Sequence, residues 1–178
     1  MKKTLLAVVV LLLAASTAFA QFGTTSVTTL TLTVAAEASI QADSSTPLTT
    51  SGTIFNDYGG TTNFTYKVRT GTSVNTAGVT LEITKDFGSA ASGPSVANSG
   101  STGDTLKYTC TATASSATAC TSAQTSSTTA ATTVATFAAS AHSVKAGDSG
   151  SVIWDLVNDP AYAVGSYTAT ATFTISAT

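Results

Sequence analysis

The last thirteen residues constrain the fold more than any other part of the chain. From Ser166 to Thr178, apolar and aromatic side chains alternate without a break with threonine and serine. Strict alternation with a period of two is typical of an amphipathic β-strand, and this stretch continues to the last residue. A second alternating stretch runs from Thr29 to Ile40. The sequence therefore predicts a strand at each end of the domain.

Composition favours an all-β fold. Only 9% of the residues are charged, and the many threonines and serines suit a pleated, half-exposed surface better than a helix. Alternating segments and turn signals recur along the chain, which predicts an immunoglobulin-like sandwich of two sheets with about seven to nine strands. The length suits a single core, and nothing in the composition marks a second domain.

Four internal segments are predicted to be strands, three of them from the alternating pattern. Residues 64–68 and 79–83 are predicted to be partner strands, separated by a loop from Gly71 to Gly78. A third strand is predicted over residues 106–112. Residues 152–157 are apolar on both faces, so this strand is predicted to be central in its sheet or shared with a partner.

The segments between these strands are predicted to be turns and loops. Residues 54–55 are expected to form a short strand, followed by a turn over residues 56–60. The stretch 87–103 is expected to be a long surface loop or a weakly ordered one. Residues 121–141 are nearly all alanine, serine and threonine, so they are expected to form a thin edge strand or a loop.

Residues 1–20 have the features of a secretory signal peptide. Two lysines precede an apolar run from Leu5 to Leu13, and a small-x-small site ends at Ala20, so the mature chain is predicted to start at Gln21. The apolar run is too short to span a bilayer comfortably. We therefore expect an exported protein, extracellular or at the cell surface, without a transmembrane anchor.

The charge balance argues against nucleic acid as a partner. Of the seven basic residues, Lys2 and Lys3 belong to the predicted signal peptide, which leaves five against nine acidic residues and a net charge of −4. A polyanion needs a basic surface, and this chain does not offer one.

Cys110 and Cys120 are the only cysteines, with nine residues between them. In an oxidising compartment they are expected to bond to each other, as a staple on a hairpin or a loop. A C-x-x-C spacing would instead have indicated a redox or metal role.

The tetrapeptide Gly147-Asp148-Ser149-Gly150 matches the sequence around the nucleophile of trypsin-like serine proteases. The one histidine, His142, lies only seven residues before the serine, too close to reproduce that architecture. We interpret the tetrapeptide as a tight turn between strands. The aspartates lack the spacing of a calcium loop, and a single histidine does not favour a zinc site. The sequence predicts no enzyme, no metal site and no cofactor.

The two terminal stretches, TTLTLTVAAEASIQA and GSYTATATFTISAT, together with the signal peptide, resemble those of subunits of bacterial chaperone–usher pili, including the archaic spore-coat-U-like group. Gly165 is fourteenth from the end, as a glycine is in many such pilins. Ala177 stands where those pilins often have tyrosine, and Cys110–Cys120 is not their usual N-terminal disulfide.

The resemblance implies a structural subunit of an extracellular filament, a pilus or fimbria, built from copies of this chain joined head to tail. In donor-strand complementation, the N-terminal extension of one subunit completes the sandwich of the next. A periplasmic chaperone and an outer-membrane usher are the implied assembly partners. We predict residues 21–34 as the extension and residues 35–178 as the sandwich. The predicted donor residues are Phe22, Leu30, Leu32 and Val34, and the predicted acceptor-groove residues are Trp154, Tyr167, Phe173 and Ile175.

A function from a different class is also compatible with the sequence. The chain could be a monomeric secreted β-sandwich that binds a ligand, with carbohydrate as the candidate. In that case tyrosines such as Tyr58 and Tyr162 would lie exposed in the loops, although tyrosines more often fill a core or an interface.

Overall fold

The computed structural model describes residues 27–52, 54–73, 77–88, 93–96, 106–114 and 116–177. This part of the chain forms ten β-strands and no helix. The strands are β1 Glu37–Ala42, β2 Thr49–Thr50, β3 Tyr58–Arg69, β4 Gly78–Lys85, β5 Lys107–Ala112, β6 Ala117–Ala119, β7 Gln124–Thr125, β8 Thr132–Phe137, β9 Asp148–Leu156 and β10 Thr170–Ser176.

The strands form two antiparallel sheets. The first has the order β1-β3-β9-β5-β7, with β2 also paired to β3, and the second has the order β10-β4-β8-β6. The predicted all-β, two-sheet sandwich is confirmed. Its compact unit begins at Ala35.

The core lies between the sheets and follows from the alternation in the sequence. In β3, Phe64 and Tyr66 are buried, while Asn63, Thr65 and Lys67, which alternate with them, are exposed. In β4, Val79 and Leu81 are fully buried. Each large apolar side chain removed from water in this way contributes about 1.5–3 kcal/mol to stability.

Strand β9 is central, as predicted. It pairs with β3 on one side and with β5 on the other. Val152, Trp154 and Leu156 are buried between the sheets, whereas Ile153 points outward and is exposed. The apolar residue on the outer face therefore remains at the surface of the described chain.

The predicted partnership of β3 and β4 is wrong. β3 belongs to the first sheet and β4 to the second, so the chain between them crosses from one sheet to the other. The hydroxyl of Thr70 donates a hydrogen bond to the carbonyl of Ala138 at 2.9 Å, which holds the end of β3 against the segment that follows β8. Alternation predicts which face of a strand is buried, but it does not predict which strand pairs with it.

The prediction for residues 121–141 is also wrong in part. Within this segment, β8 is a central strand of the second sheet, between β4 and β6. Val134 and Ala135 are fully buried, and Phe137 packs its ring 5.3 Å from that of Tyr66. Small residues bury little area, but they allow close packing at the centre of this sheet.

Several predicted boundaries shift. The N-terminal strand begins at Glu37 and not at Thr29, and the C-terminal strand spans Thr170–Ser176. Phe55 lies in a turn with a positive φ of 57°, so the short strand over residues 54–55 is absent. The turn expected over residues 56–60 ends at Asp57, because β3 already starts at Tyr58.

The Gly-Asp-Ser-Gly tetrapeptide is not itself a turn. Only Gly147 has a turn conformation, with a φ of 98°, and its N–H donates to the carbonyl of Val144 at 2.9 Å. Asp148, Ser149 and Gly150 are the first residues of β9.

Candidate functional site: a cleft beside the C-terminal strand

The C-terminal strand β10 lies at the edge of its sheet. Among the described residues it pairs with β4 alone. A strand edge of this kind presents a row of backbone N–H and C=O groups, which proteins usually protect with charge, proline or a covering element. β10 contains neither a charged residue nor proline, so its sequence leaves the edge ready for a further strand.

The inward face of β10 is incompletely covered. Ala171, Phe173 and Ile175 point towards the core but are only partly buried, whereas Val79 and Leu81 of the neighbouring strand are fully buried. Since area removed from water is the main source of stabilisation, covering these three side chains would add to the stability of the sandwich.

A cleft of about 1140 Å³ opens beside this face. Core residues from four strands or strand ends form its apolar wall: Ile83, Leu106, Trp154 and Phe173. Pockets for small molecules measure roughly 300–1000 Å³, so the cleft is large enough for a segment of polypeptide.

Hydrogen bonds hold Trp154, in the apolar wall of the cleft, in place. The indole N–H of Trp154 donates to the hydroxyl of Thr62 at 2.8 Å, and the Thr62 hydroxyl lies 2.6 Å from that of Thr46. The ring of Trp154 packs edge-on against Tyr108, with 5.7 Å between the ring centroids. The cleft therefore has a fixed apolar wall with its polar atoms paired.

Two loops form the rim of the cleft and are tied to each other. The side-chain amide of Asn158 donates to the carbonyl of Asn56 at 3.0 Å, and the Asn158 N–H donates to the Asp57 carboxylate at 3.1 Å. Further along, the Tyr167 hydroxyl donates to the carbonyl of Ala163 at 2.7 Å. These bonds order the rim without filling the space between its sides.

Three of the four predicted acceptor residues line this cleft. They are Trp154, Tyr167 and Phe173, while Ile175 lies further along β10 and is not part of the lining. Sequence reasoning missed Leu48, Ile83 and Leu106, which also line it. The alternation marked Ile83 and Leu106 as buried, but their meeting at one cleft depends on strand order.

The predicted donor residues lie before the compact sandwich unit. Phe22 is outside the described residues. Leu30, Leu32 and Val34 have 91%, 84% and 57% of their surface exposed. Residues 27–36 form no strand in the structure, although their alternation is that of a strand. Three apolar side chains in strand register are therefore available to a partner.

The predicted disulfide is confirmed, and it closes the short connection between β5 and β6, which is the loop alternative of the prediction. Cys110 lies in β5 of the first sheet, and Cys120 directly follows β6 of the second sheet. The Cys120 N–H also donates to the carbonyl of Val134 at 3.0 Å. Because β5 and β6 belong to different sheets, the bond also ties the two sheets together.

The described residues do not assemble the protease-like residues into a catalytic arrangement. The Ser149 hydroxyl pairs with that of Thr113 at 3.3 Å, and a ring nitrogen of His142 lies 3.2 Å from the carbonyl of Ser140. The described part of the chain also contains no group of three or more histidine, cysteine, aspartate or glutamate side chains placed to hold a metal ion.

Two buried tyrosines have perturbed acidity. Burial raises the pKa of Tyr66, and the nearby Asp148 carboxylate raises it further. Burial also raises the pKa of Tyr108, and its hydrogen bond with Thr132 partly opposes this effect. Both tyrosines belong to the core, so these shifts bear on stability and not on chemistry at the cleft.

The chain matches no protein-family model, and no curated protein or solved structure shows significant similarity to it. In the part of the chain that the structure describes, no helix has the length and hydropathy needed to cross a bilayer.

Proposed function

We propose that the protein is an exported structural subunit of an extracellular filament that polymerises by donating its N-terminal extension, residues 21–34, to the cleft of the next copy. The observation that carries the proposal is that one chain contains both an exposed apolar segment and an apolar cleft that such a segment could fill. The extension exposes apolar side chains at alternate positions, and β10 is paired along one edge only by the described residues, beside an apolar cleft. Each feature is costly in water unless it meets a complementary surface.

The direction of the strands favours association between copies. β1 begins at Glu37, which pairs with Arg69 at the end of β3, whereas the cleft is lined by Tyr58 at the start of β3. The twelve residues of β3 separate these points by roughly 35–40 Å, at about 3.3 Å per residue. The chain thus enters the sandwich at the end opposite the cleft, and donation between copies would continue head to tail without closing.

The same directions give the orientation of the inserted strand. β10 runs from the cleft at Thr170 towards the other end of the sandwich. A donor that stays connected to its own sandwich through Ala35 enters with its N-terminus deepest, so it runs antiparallel to β10. Antiparallel pairing would satisfy the free backbone edge of β10, while alternate side chains enter the cleft.

Two features of the chain support the proposed export from the cytoplasm. The signal-peptide features of residues 1–20 and the disulfide between Cys110 and Cys120 suit an oxidising compartment outside the cytoplasm. A periplasmic chaperone that protects the free edge before assembly, and an usher that exports the subunits, are the assembly partners we propose.

Electrophoresis tests the proposal. Native material from the cell surface, run on a denaturing gel without boiling, is expected to give a ladder that collapses to one band of mature size after boiling in acid. A double substitution, Leu30→Asp with Leu32→Asp, is expected to abolish the ladder because charge cannot enter an apolar cleft.

The extension provides a matched control. Thr31→Asp with Thr33→Asp adds the same charge to the same segment but on the opposite face of the donor strand. This variant should retain most of the ladder. A wild-type protein that stays monomeric in cells and at high concentration would contradict the proposal.

One observation favours a second candidate function. Tyr58, Tyr162 and Tyr167 line the same cleft as Trp154, and aromatic rings with a polar atom suit carbohydrate binding. In this case the protein would be a monomeric binding module. Glycan-array binding by the monomer that is lost in Tyr58→Ala and Tyr162→Ala would support this function, and silent arrays would exclude it for the glycans displayed.

A further inference from the structure

Exposed large apolar side chains in the described part of the chain are concentrated on the extension and at the two ends of the sandwich. We call the end that carries the cleft the cleft end, and the opposite end, where β1 begins, the tail end. Four such residues lie on the extension, three at the cleft end, one at the tail end and one on the flat outer face of the first sheet. They are Val27, Leu30, Leu32 and Val34; Ile54, Phe55 and Val164; Val144; and Ile153.

Charge is also distributed unevenly between the two ends. Among the described residues, the cleft end carries five acidic and two basic residues, a net charge of −3, and the tail end carries three basic and two acidic residues, a net charge of +1. The cleft-end residues are Asp43, Asp57, Asp86, Asp155, Asp159, Lys85 and Lys107, and the tail-end residues are Lys67, Arg69, Lys145, Glu37 and Asp148.

At each end, an exposed apolar side chain lies next to a charged residue whose sign matches the net charge of that end. At the tail end, exposed Val144 precedes Lys145 in the turn before β9. At the cleft end, exposed Ile54 and Phe55 lie just before Asp57. Each end therefore offers exposed apolar side chains to the other, and the net charges of the two ends are opposite in sign.

The linker would bring these ends together. If Val34 reaches into the cleft, only Ala35 and Ala36 separate it from Glu37 in β1. Three residue steps span at most about 10 Å, which is close to the Debye length of roughly 8 Å at physiological salt. Two sandwiches joined in this way would have little room for solvent between them.

We propose that successive copies also dock end to end, with Val144 and Lys145 of one copy packing against the rim formed by Ile54, Asp57 and Asp159 in the next. This proposal rests on the proposed function, because the extension supplies the linkage. The docking would fix the angle between subunits and make the filament stiffer than a chain of sandwiches on flexible linkers.

Binding through the inserted extension can be separated from binding through the docked ends by its dependence on salt. Residues 21–34 contain no charged side chain, so insertion of the extension alone should depend little on salt. Docking of the oppositely charged ends should weaken as salt is added, since exposed charges are screened.

The experiment uses the full mature chain carrying Leu30→Asp and Leu32→Asp, which cannot donate, immobilised as the acceptor. Wild-type mature chain and a synthetic peptide of residues 21–34 are bound to it at low, physiological and high salt. We expect the chain to bind more tightly than the peptide at low salt, with the difference shrinking as salt rises. Lys145→Glu in the donor should weaken binding about threefold to tenfold at low salt.

The chain offers matched controls at the same net charge. Lys85→Glu makes the same chemical change at the cleft end of the donor and should leave its affinity unchanged. Val144→Ser should weaken binding, whereas Ile153→Ser removes an exposed apolar side chain from the flat face and should not. Thermal melting of each variant checks that its sandwich is folded.

The outcomes separate the two proposals. Binding of peptide and chain with equal affinity at every salt concentration, unaffected by Lys145→Glu, would overturn end-to-end docking and leave strand donation standing. A failure of both the peptide and the chain to bind would overturn both proposals.

Discussion

The indole N–H of Trp154 donates a hydrogen bond to the hydroxyl of Thr62, 2.8 Å away and on the adjacent strand. Only 6% of the Trp154 surface is exposed, although the residue lines the cleft. Thr62 itself pairs with Thr46 in the segment that follows β1. One threonine therefore connects the cleft wall to the segment between β1 and β2, which also lines the cleft.

Thr62→Val should destabilise the protein by about 1–3 kcal/mol, because it keeps the shape of the side chain but leaves the buried indole N–H without an acceptor. Chemical denaturation followed by circular dichroism measures the change. Thr46→Val removes only the outer of the two bonds and should cost less, about 0.5–1.5 kcal/mol. Equal losses for the two variants would show that the indole bond is unimportant.

Two adjacent glycines in β3 differ in how closely neighbouring backbone approaches them. A Cβ atom on Gly60 would lie 2.6 Å from the carbonyl oxygen of Pro47, whereas one on Gly59 would make an ordinary contact of 3.6 Å with the Trp154 carbonyl. Gly60→Ala should therefore destabilise the protein by about 1–3 kcal/mol through overpacking, and Gly59→Ala should have a much smaller effect. Melting temperatures of the two variants provide the comparison, and a similar loss in both would contradict it.

The buried faces were readable from the sequence because burial follows alternation. Phe64, Tyr66, Val79, Leu81 and Val152 are buried as their patterns predict. Hydrophobic alternation reports which side of a strand meets the core, and this information is local.

Strand order and the cleft were not readable, because they depend on pairing between distant segments. The assignment of β3 and β4 to different sheets and the central place of β8 arise from packing across the whole domain. Ile83 and Leu106 had a correct burial pattern, yet only the tertiary structure brings them to one cleft. The Thr29–Val34 stretch has strand alternation without a strand, since a strand needs a partner as well as a pattern.

The disulfide between Cys110 and Cys120 should stabilise the protein by about 2.5–3 kcal/mol, from the loop that it closes in the unfolded chain. Replacing both cysteines by alanine should lower the free energy of unfolding by that amount. A reducing agent should have the same effect on the wild-type protein and none on the variant. An unchanged stability after reduction would mean that sheet packing alone fixes this side of the sandwich.

Stability should fall in alkaline solution because of Tyr66 and Tyr108. Their pKa values are raised in the folded state, mainly by burial, above the value of about 10 in the unfolded chain. The folded state therefore holds these protons more tightly, and the stabilisation present below pH 10 is lost as pH rises through the folded pKa. Denaturation at a series of pH values from below about 10 upward measures this loss. Tyr66→Phe should flatten the decline, and an unchanged slope would assign it to other groups.

Trp154 is the only tryptophan, so its fluorescence reports directly on the cleft. The acceptor variant with Leu30→Asp and Leu32→Asp should change its emission when a peptide of residues 21–34 is added, because the peptide would displace water from the cleft wall. The same peptide should stabilise this variant by about 2.7 kcal/mol at a hundredfold excess over its dissociation constant. A peptide carrying the two aspartates should do neither, since its donor face is charged. If both peptides change the emission and the stability equally, the cleft does not distinguish apolar from charged side chains at positions 30 and 32. A small ligand would then be the better candidate for its occupant.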